Sequence, residues 1–410
     1  MMHSLKTCLS ASGIFTLLLT WSVTLSAATT NQVVAWGAGE IIKPSDTNDF
    51  GQSIVPASLT NAVSVAGGWR HALALKSDGT LKGWGDDTFG QTDFPVTNAF
   101  GKYVYIAIAC GYLHSLVLQS NGIVLANGYG NFGQTDVPDN LSNVVAVACG
   151  FYHSLALKSD GTVTAWGTST NPADYVTNVA YGQSLVPPGL SNVVAIAGGG
   201  WHSLALKSDG TLAGWGRNDF GQVNIPAGLS NVVAIAAGAV YSLALESDGT
   251  LRVWGDDTYG QTNIPAGLSN VVAIACGGWH TLALKSNGTV LAWGANTGTN
   301  TTVDYRQSTV PSGLTNVIQI AAGAVNSLAL VSNHSPLIHV PLAVSGFSTN
   351  SFTVKLPTRN GRVYRLEYQN TLANPPVWSA FPLQAGLGTT NSFTDPGPQT
   401  AQRFYRITRW

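Results

Sequence analysis

The sequence predicts an all-β chain: a seven-bladed β-propeller closed by its own N-terminal strands, followed by a small C-terminal β-sandwich-like module. Three observations carry that prediction. A strand opener recurs at His71, His114, His153, His202, Tyr241, His280 and Asn326, at intervals of 39 to 49 residues, the spacing of a propeller or solenoid repeat. Each unit holds several short apolar runs split by turns that contain Gly. One half-unit, "VVAWG" at 33–37, stands alone near the N-terminus, whereas the last unit lacks that very segment.

A unit such as "NVVAIACGGWHTLALKSNGTVLAWG" (270–294) is expected to form strands in a fixed order. "VVAIA" reads as strand A, a near-continuous apolar run suited to burial on both faces. "HTLALK" reads as strand B. Ser-Asn-Gly or Ser-Asp-Gly then makes a tight hairpin, because Gly tolerates positive φ and Asn or Asp comes next. "TVLAWG" is strand C, and "GQTNIP", as at 260–265, is expected as a short strand D whose Pro suits an exposed edge. Strands A and B occur seven times, the last at 316–332. Strand C carries Trp36, Trp84, Trp166, Trp215, Trp254, Trp293 and, in the second blade, Asn127. Seven C strands exist only if 33–37 is included, so this segment and "GQSIVP" (51–56) are expected to complete the seventh blade and remove the open edges of the array.

The propeller is assigned to 29–335, a linker to 336–344 and the small β module to 345–410, where "SFTVKLPT", "RVYRLEYQN" and "RFYRITRW" are strand-like. Residues 1–28 read as a secretory signal: Lys6, then an apolar stretch at 13–25, then Ser26-Ala27-Ala28. An uncleaved anchor is the alternative. The expected location is secreted, periplasmic or at the cell surface, with no membrane contact after signal cleavage.

Charged residues make up 10% of the chain and the formal net charge is −1, so the clustered cations that nucleic acid requires are missing. Cys8 leaves with the signal. Cys110, Cys149 and Cys276 share a position that other repeats fill with Gly or Ala, which points to packing rather than a disulfide or a metal.

"GxxHSLALKSDGT…WG…(F/Y)GQ" resembles the repeats of the regulator-of-chromosome-condensation superfamily, seven-bladed propellers, over about three-quarters of the chain. The compact version with "VPAGLSNVVAIAAG" looks closest to secreted bacterial members of the β-lactamase inhibitor protein II type. That resemblance implies a partner enzyme that the chain inhibits. Guanine-nucleotide exchange or chromatin binding, implied for eukaryotic members, fits poorly with a signal sequence and a near-neutral chain.

Antiparallel alternation puts the A–B turns and C–D loops at one end of the blades and the B–C hairpins and D–A connections at the other. The first end varies between blades and is the candidate face. Its aromatic residues are Trp69, Tyr112, Phe151, Tyr152, Trp201 and Trp279, expected to form a concave binding surface. Packing over blade seams is the competing role. Blades five and seven carry Ala239-Val240 and Ala324-Val325 instead. Three C–D loops, 38–50, 168–181 and 295–306, are long and expected at the same end.

The histidines that open strand B are expected to make structural hydrogen bonds rather than a metal ring. Asp86-Asp87 and Asp256-Asp257 read as Asx turns, with calcium as the alternative. "GYGNFG" (128–133) matches a nucleotide-binding pattern but lacks the strand–helix setting. No metal, cofactor or nucleic acid is expected. The expectation is a monomeric, exported, non-catalytic propeller that recognises an extracellular protein or glycan. The alternative is an enzyme acting on extracellular polysaccharide through a carboxylate pair.

Overall fold

The computed structural model describes residues 31–39, 49–95, 97–98, 101–168, 180–295, 305–332, 343–348, 351–358, 362–369, 379–387, 390–396 and 404–409. The leader at 1–28, the linker at 336–344 for the most part, and most of each long loop lie outside these residues.

Seven antiparallel sheets of three strands each make the blades, with strand B always in the middle. Blade 1 pairs Ala62–Gly67, His71–Lys76 and Leu81–Gly85. Blade 2 pairs Tyr105–Cys110, His114–Gln119 and Val124–Gly128. Blade 3 pairs Val144–Cys149, His153–Lys158 and Val163–Gly167. Blade 4 pairs Val193–Gly198, His202–Lys207 and Leu212–Gly216. Blade 5 pairs Val232–Ala237, Tyr241–Glu246 and Leu251–Gly255. Blade 6 pairs Val271–Cys276, His280–Lys285 and Val290–Gly294. Blade 7 takes Val317–Ala322 and Asn326–Val331 from the end of the propeller and Gln32–Gly37 from its beginning.

The expectation of a closed propeller is corrected here. No sheet among the described residues is closed; each is an open ribbon, and neighbouring blades adjoin through side chains and turns, not through a continuous ladder. The A strands of adjoining blades lie against one another around the centre, and blade 1 lies against blade 7.

Strand D is also corrected. The Gly-Gln segments are turns, and their carbonyls serve the next blade. The Gln222 carbonyl, which follows blade 4, accepts from Trp254 Nε1 of blade 5 at 3.0 Å. The same bond joins Gln52 to Trp84, Gln134 to Trp166, Gln183 to Trp215, Gln261 to Trp293 and Gln307 to Trp36. All six indoles are buried, and in blade 2 Asn127 donates to the Asp93 carbonyl instead. Each repeat is therefore clipped to its successor by the carbonyl that an edge strand would have offered to a ladder.

Strand B, not strand A, is the most buried strand. Leu73, Leu116, Leu155, Leu204, Leu243, Leu282 and Leu328 are fully enclosed, because B has a strand on either side and a blade on either face. Strand A borders the centre and keeps partial exposure. The Gly that ends each C strand, such as Gly255 at φ 112°, occupies a backbone region that L side chains avoid.

The C-terminal part forms two further sheets. Ala343–Ser348, Ser351–Pro357 and Thr390–Asp395 make one. Val363–Gln369, Ser379–Ala380, Gln384–Ala385 and Phe404–Arg409 make the other. Val354, Leu356 and Phe393 meet Tyr364, Leu366 and Ile407 in a core of their own. Leu383 donates its amide to the Ser247 carbonyl of blade 5 at 2.8 Å, Gln384–Ala385 lies against strand A of that blade, and Val363, Leu383 and Ala385 join the apolar cluster that runs through blades 5 and 6. Ser247 belongs to a B–C hairpin, so the module docks at the end opposite the A–B turns.

Candidate functional site

A polar relay fixes the blades beneath the candidate face. Each strand-B histidine bonds through Nε2 to a Ser of the next blade: His71 to Ser115 at 2.7 Å, His114 to Ser154 at 3.1 Å, His153 to Ser203 at 2.9 Å, His202 to Ser242 at 2.9 Å and His280 to Ser327 at 2.8 Å. Ser154, Ser203, Ser242 and Ser327 in turn donate Oγ–H to the Gln carbonyl that also receives the Trp indole. A hydroxyl that donates onward must accept from the imidazole, so Nε2 carries the hydrogen and Nδ1 is a bare lone pair. Nδ1 of all five rings is buried without a partner, a setting that offers no acceptor for the second N–H of a protonated ring. Burial pushes the imidazoles down, to about 4 for His71 and about 3 for His114, His153, His202 and His280. These residues are neutral structural links and not metal ligands.

Above the relay, the A–B turns join into a circlet. Backbone amides donate to carbonyls of the neighbouring blade at six of the seven seams, among them Trp69 to Gly111, Phe151 to Gly200, Ala239 to Gly278 and Ala324 to Gly68. The Gly that opens each turn has no room for a side chain. A Cβ at Gly277 would meet the His280 ring and the Gly323 carbonyl, and the same crowding recurs at Gly68, Gly111, Gly150 and Gly199. This rigid rim presents the next two residues of each turn.

Those two positions are large in blades 1 to 3 and mostly small in blades 4 to 7. Five of the six predicted residues form one cluster. Trp69 meets Tyr112 edge-on and stacks with Phe151 at 6.1 Å between centroids. Phe151 reaches Trp201 at 5.1 Å, and Tyr112 lies 5.4 Å from both Phe151 and Tyr152. Trp279 makes no ring contact with these five; it lies against Tyr259 and, like Trp69, against the buried Ala38, Ala324 and Val325 of blade 7. All six are half-buried. Burial raises the phenols of Tyr112 and Tyr152, so both stay protonated donors.

Sequence reasoning missed the outer half of the cluster. Phe89, Tyr129 and Phe132 extend it from Tyr152 outward, through centroid distances of 5.1 to 6.0 Å. Phe50, Tyr181 and Phe220 hold two guanidiniums: Arg70 lies 4.5 Å over Phe50 and 5.6 Å over Trp69, and Arg217 lies 4.9 Å over Tyr181 and 5.3 Å over Trp201 and Phe220. The signal was present, since an aromatic residue precedes Gly-Gln in six units and Tyr305 precedes Arg306-Gln307 in the seventh.

The remaining candidates resolve locally. Asp86 and Asp256 accept from the amides and hydroxyls of Thr88 and Thr258 in Asx turns. Cys110, Cys149 and Cys276 are free thiols that burial pushes up, to about 12 for Cys110 and Cys276, so they are poor nucleophiles. Among the described residues, no three His, Cys, Asp or Glu side chains gather where a metal ion could bind, and no helix is long and apolar enough to cross a membrane.

The family model of the regulator of chromosome condensation (RCC1) repeat matches residues 62–91, 105–134, 144–171, 193–222, 232–261 and 271–298. Each segment begins in strand A and runs through strand C; blade 7, drawn from both ends of the propeller, offers no such contiguous stretch. Human WBSCR16 matches with a TM-score of 0.55 at 21% identity, over 74% of this chain and 99% of that one. Prp20p of Saccharomyces cerevisiae matches with a TM-score of 0.58 at 20% identity, over 75% and 93%. A structure of Kap60 bound to yeast RCC1 (Prp20) matches with a TM-score of 0.57 at 21% identity, over 77% and 95%. No curated protein sequence matches. The fold is an RCC1-repeat propeller.

These findings correct several expectations. The likeness to secreted bacterial members gives way to human and yeast proteins. The yeast work concerns Gsp1p, histones and Kap60, so the extracellular protein or glycan is withdrawn as partner. With it go the readings as inhibitor of an extracellular enzyme and as polysaccharide enzyme. The bacterial origin and the secreted, periplasmic or cell-surface location are withdrawn on the same relatives; residues 1–28, on which the location rested, lie outside the described residues.

Proposed function

We propose that this RCC1-repeat chain is a non-catalytic propeller that binds another protein through its A–B turn face. One observation carries the reading: half-exposed aromatic rings from four successive blades touch one another on a rim held by backbone hydrogen bonds. Rigid aromatic side chains give large contact area at low entropic cost and are enriched where binding energy concentrates. Trp69, Tyr112, Phe151, Tyr152 and Trp201 form the centre of the surface, and Trp279 continues it across blade 7, where it and Trp69 pack on Ala38, Ala324 and Val325. The C-terminal module supports the assignment, because its described residues dock at the other end. A protein partner also agrees with the relatives, since Prp20p is described with Gsp1p and histones and yeast RCC1 with Kap60.

The division into a propeller at 29–335, a linker at 336–344 and a β module at 345–410 belongs to the same proposal, supported by the module's own core. The test is capture from the source cells with cross-linking, comparing wild type with the triple variant Trp69→Ala, Phe151→Ala and Trp201→Ala. The expected outcome is a protein that cross-links to the A–B turns of wild type and is lost by at least ~10-fold in the variant, with the folded state retained. Equal capture by both would place binding elsewhere.

A further inference from the structure

The two stacked arginines of the face differ in one respect. Arg217 has a carboxylate: its Nε lies 2.7 Å from Asp219. Arg70 has none. Its guanidinium lies over Phe50 and Trp69, its Nε is shut off from solvent without a hydrogen-bond partner, and among the described residues it makes no ion pair. Asp86, whose amide donates to the Arg70 carbonyl, has its carboxylate turned into its own loop by Thr88. Guanidinium is a donor-only group, and with Nε enclosed it is the terminal Nη atoms of Arg70, which are not among its buried unpartnered atoms, that an acceptor can reach; beside a full positive charge the favoured acceptor is an anion. A phosphate is ordinarily held by several cations, whereas a single planar guanidinium between aromatic rings matches one carboxylate.

We propose that Arg70 is a carboxylate receptor, and that the aromatic face binds a protein segment presenting an Asp or Glu side chain between apolar residues. This inference rests on the protein-binding reading above and names the chemistry of its partner. The apolar neighbours of the carboxylate cover the Trp69, Tyr112 and Phe151 rings, and the acid pairs with Arg70. Stacking holds the guanidinium in place before binding, so little side-chain entropy is lost when the pair forms.

The test uses the full chain and two peptides, acetyl-Gly-Leu-Glu-Leu-Gly amide and its Gln counterpart, followed through the indole N–H resonances. The Glu peptide is expected to bind at least ~10-fold more tightly than the Gln peptide. That preference should vanish in Arg70→Gln, survive in Arg217→Gln and return in part in Arg70→Lys, with thermal unfolding checked for each variant. Equal binding of the two peptides to wild type, or an unchanged preference in Arg70→Gln, overturns the inference. If equal binding is lost in the triple aromatic variant, the face still binds peptides and only the carboxylate reading fails. If neither peptide binds at millimolar concentration, the carboxylate reading fails as well, and the cross-linking experiment alone decides the face.

Discussion

The seam between blades 4 and 5 and the seam between blades 7 and 1 have the same architecture and opposite chemistry. At the first, His202 donates to Ser242 at 2.9 Å, Ser242 donates to the Gln222 carbonyl at 2.7 Å, and Trp254 donates to that same carbonyl. At the second, Asn326 is fully buried with neither amide atom partnered, and the residue facing it from blade 1 is Ala72. The Gln52 carbonyl there receives Trp84. Blade 5 adds an intermediate case. Tyr241 replaces the histidine, and its hydroxyl reaches the His280 carbonyl and Thr281 of blade 6. The strand opener and the second residue of the next strand B are thus a matched pair. Histidine opens a strand where the following blade offers Ser, and is absent at the seams that offer Thr or Ala. The relay belongs to seams, not to blades.

The sharpest way to break the comparison is acid. The five imidazoles have folded pKa values near 3 to 4, below the value of about 6.5 in an unfolded chain. Their stabilising contribution is therefore complete above pH ~6.5 and is lost as pH falls toward 4, because only the unfolded state takes up protons there. Each such group adds a slope of up to about 1.4 kcal/mol per pH unit within that window. Calorimetry from pH 7.5 to 4.5 should show Tm falling steeply below 6.5, with several protons taken up on unfolding. A flat Tm across this window would mean that the histidines can protonate without opening the seams.

A local break should cost less. In Ser242→Ala, the His202 Nε2–H loses its acceptor while the ring stays buried, which costs about 1–3 kcal/mol. The reciprocal change at the weak seam, Ala72→Ser alone, should be nearly neutral, because Asn326 is not placed as a histidine would be. Urea unfolding of both variants tests the asymmetry. Equal effects would show that the relay adds nothing to its seams.

Much of this was legible in the sequence, and what was not has a physical cause. Strands A, B and C could be read because "NVVAIA", "HSLAL" and "WG" recur with fixed internal spacing. The buried indoles could be read because one Trp at one strand position in six units is a packing signal. The relay could not, because its members lie 40 to 50 residues apart in sequence and the interval changes with loop length. "GQTNIP" was misread as a strand since its alternation is real, but its carbonyl is taken by an indole of the next blade. At the face, the turn aromatics were evident; the pinning of Arg70 by Phe50 was not, because Phe50 closes a loop that begins in another blade.

The smallest effect is also the most specific. If the matched-pair rule is right, the missing link at the seam between blades 7 and 1 can be installed by Asn326→His together with Ala72→Ser. Serine at this strand position donates to the preceding Gln carbonyl in blades 3, 4, 5 and 7, where in each case the carbonyl also takes the Trp indole, as the Gln52 carbonyl takes Trp84. The histidine ring would lie on Gly323, as His280 lies on Gly277. Asn326→His alone leaves the imidazole without its hydroxyl partner and Ala72→Ser alone is nearly neutral, whereas the pair completes a relay and should raise stability by about 1 kcal/mol over the original. The coupling within the double-mutant cycle, more than the gain itself, is the decisive quantity. Favourable coupling of about 1–2 kcal/mol, with a new acid-sensitive component below pH ~6.5, would show that the relay is transferable between seams. Additive effects would mean that Asn326 is held by the turn circlet, and that the histidines follow blade geometry rather than their serine partners.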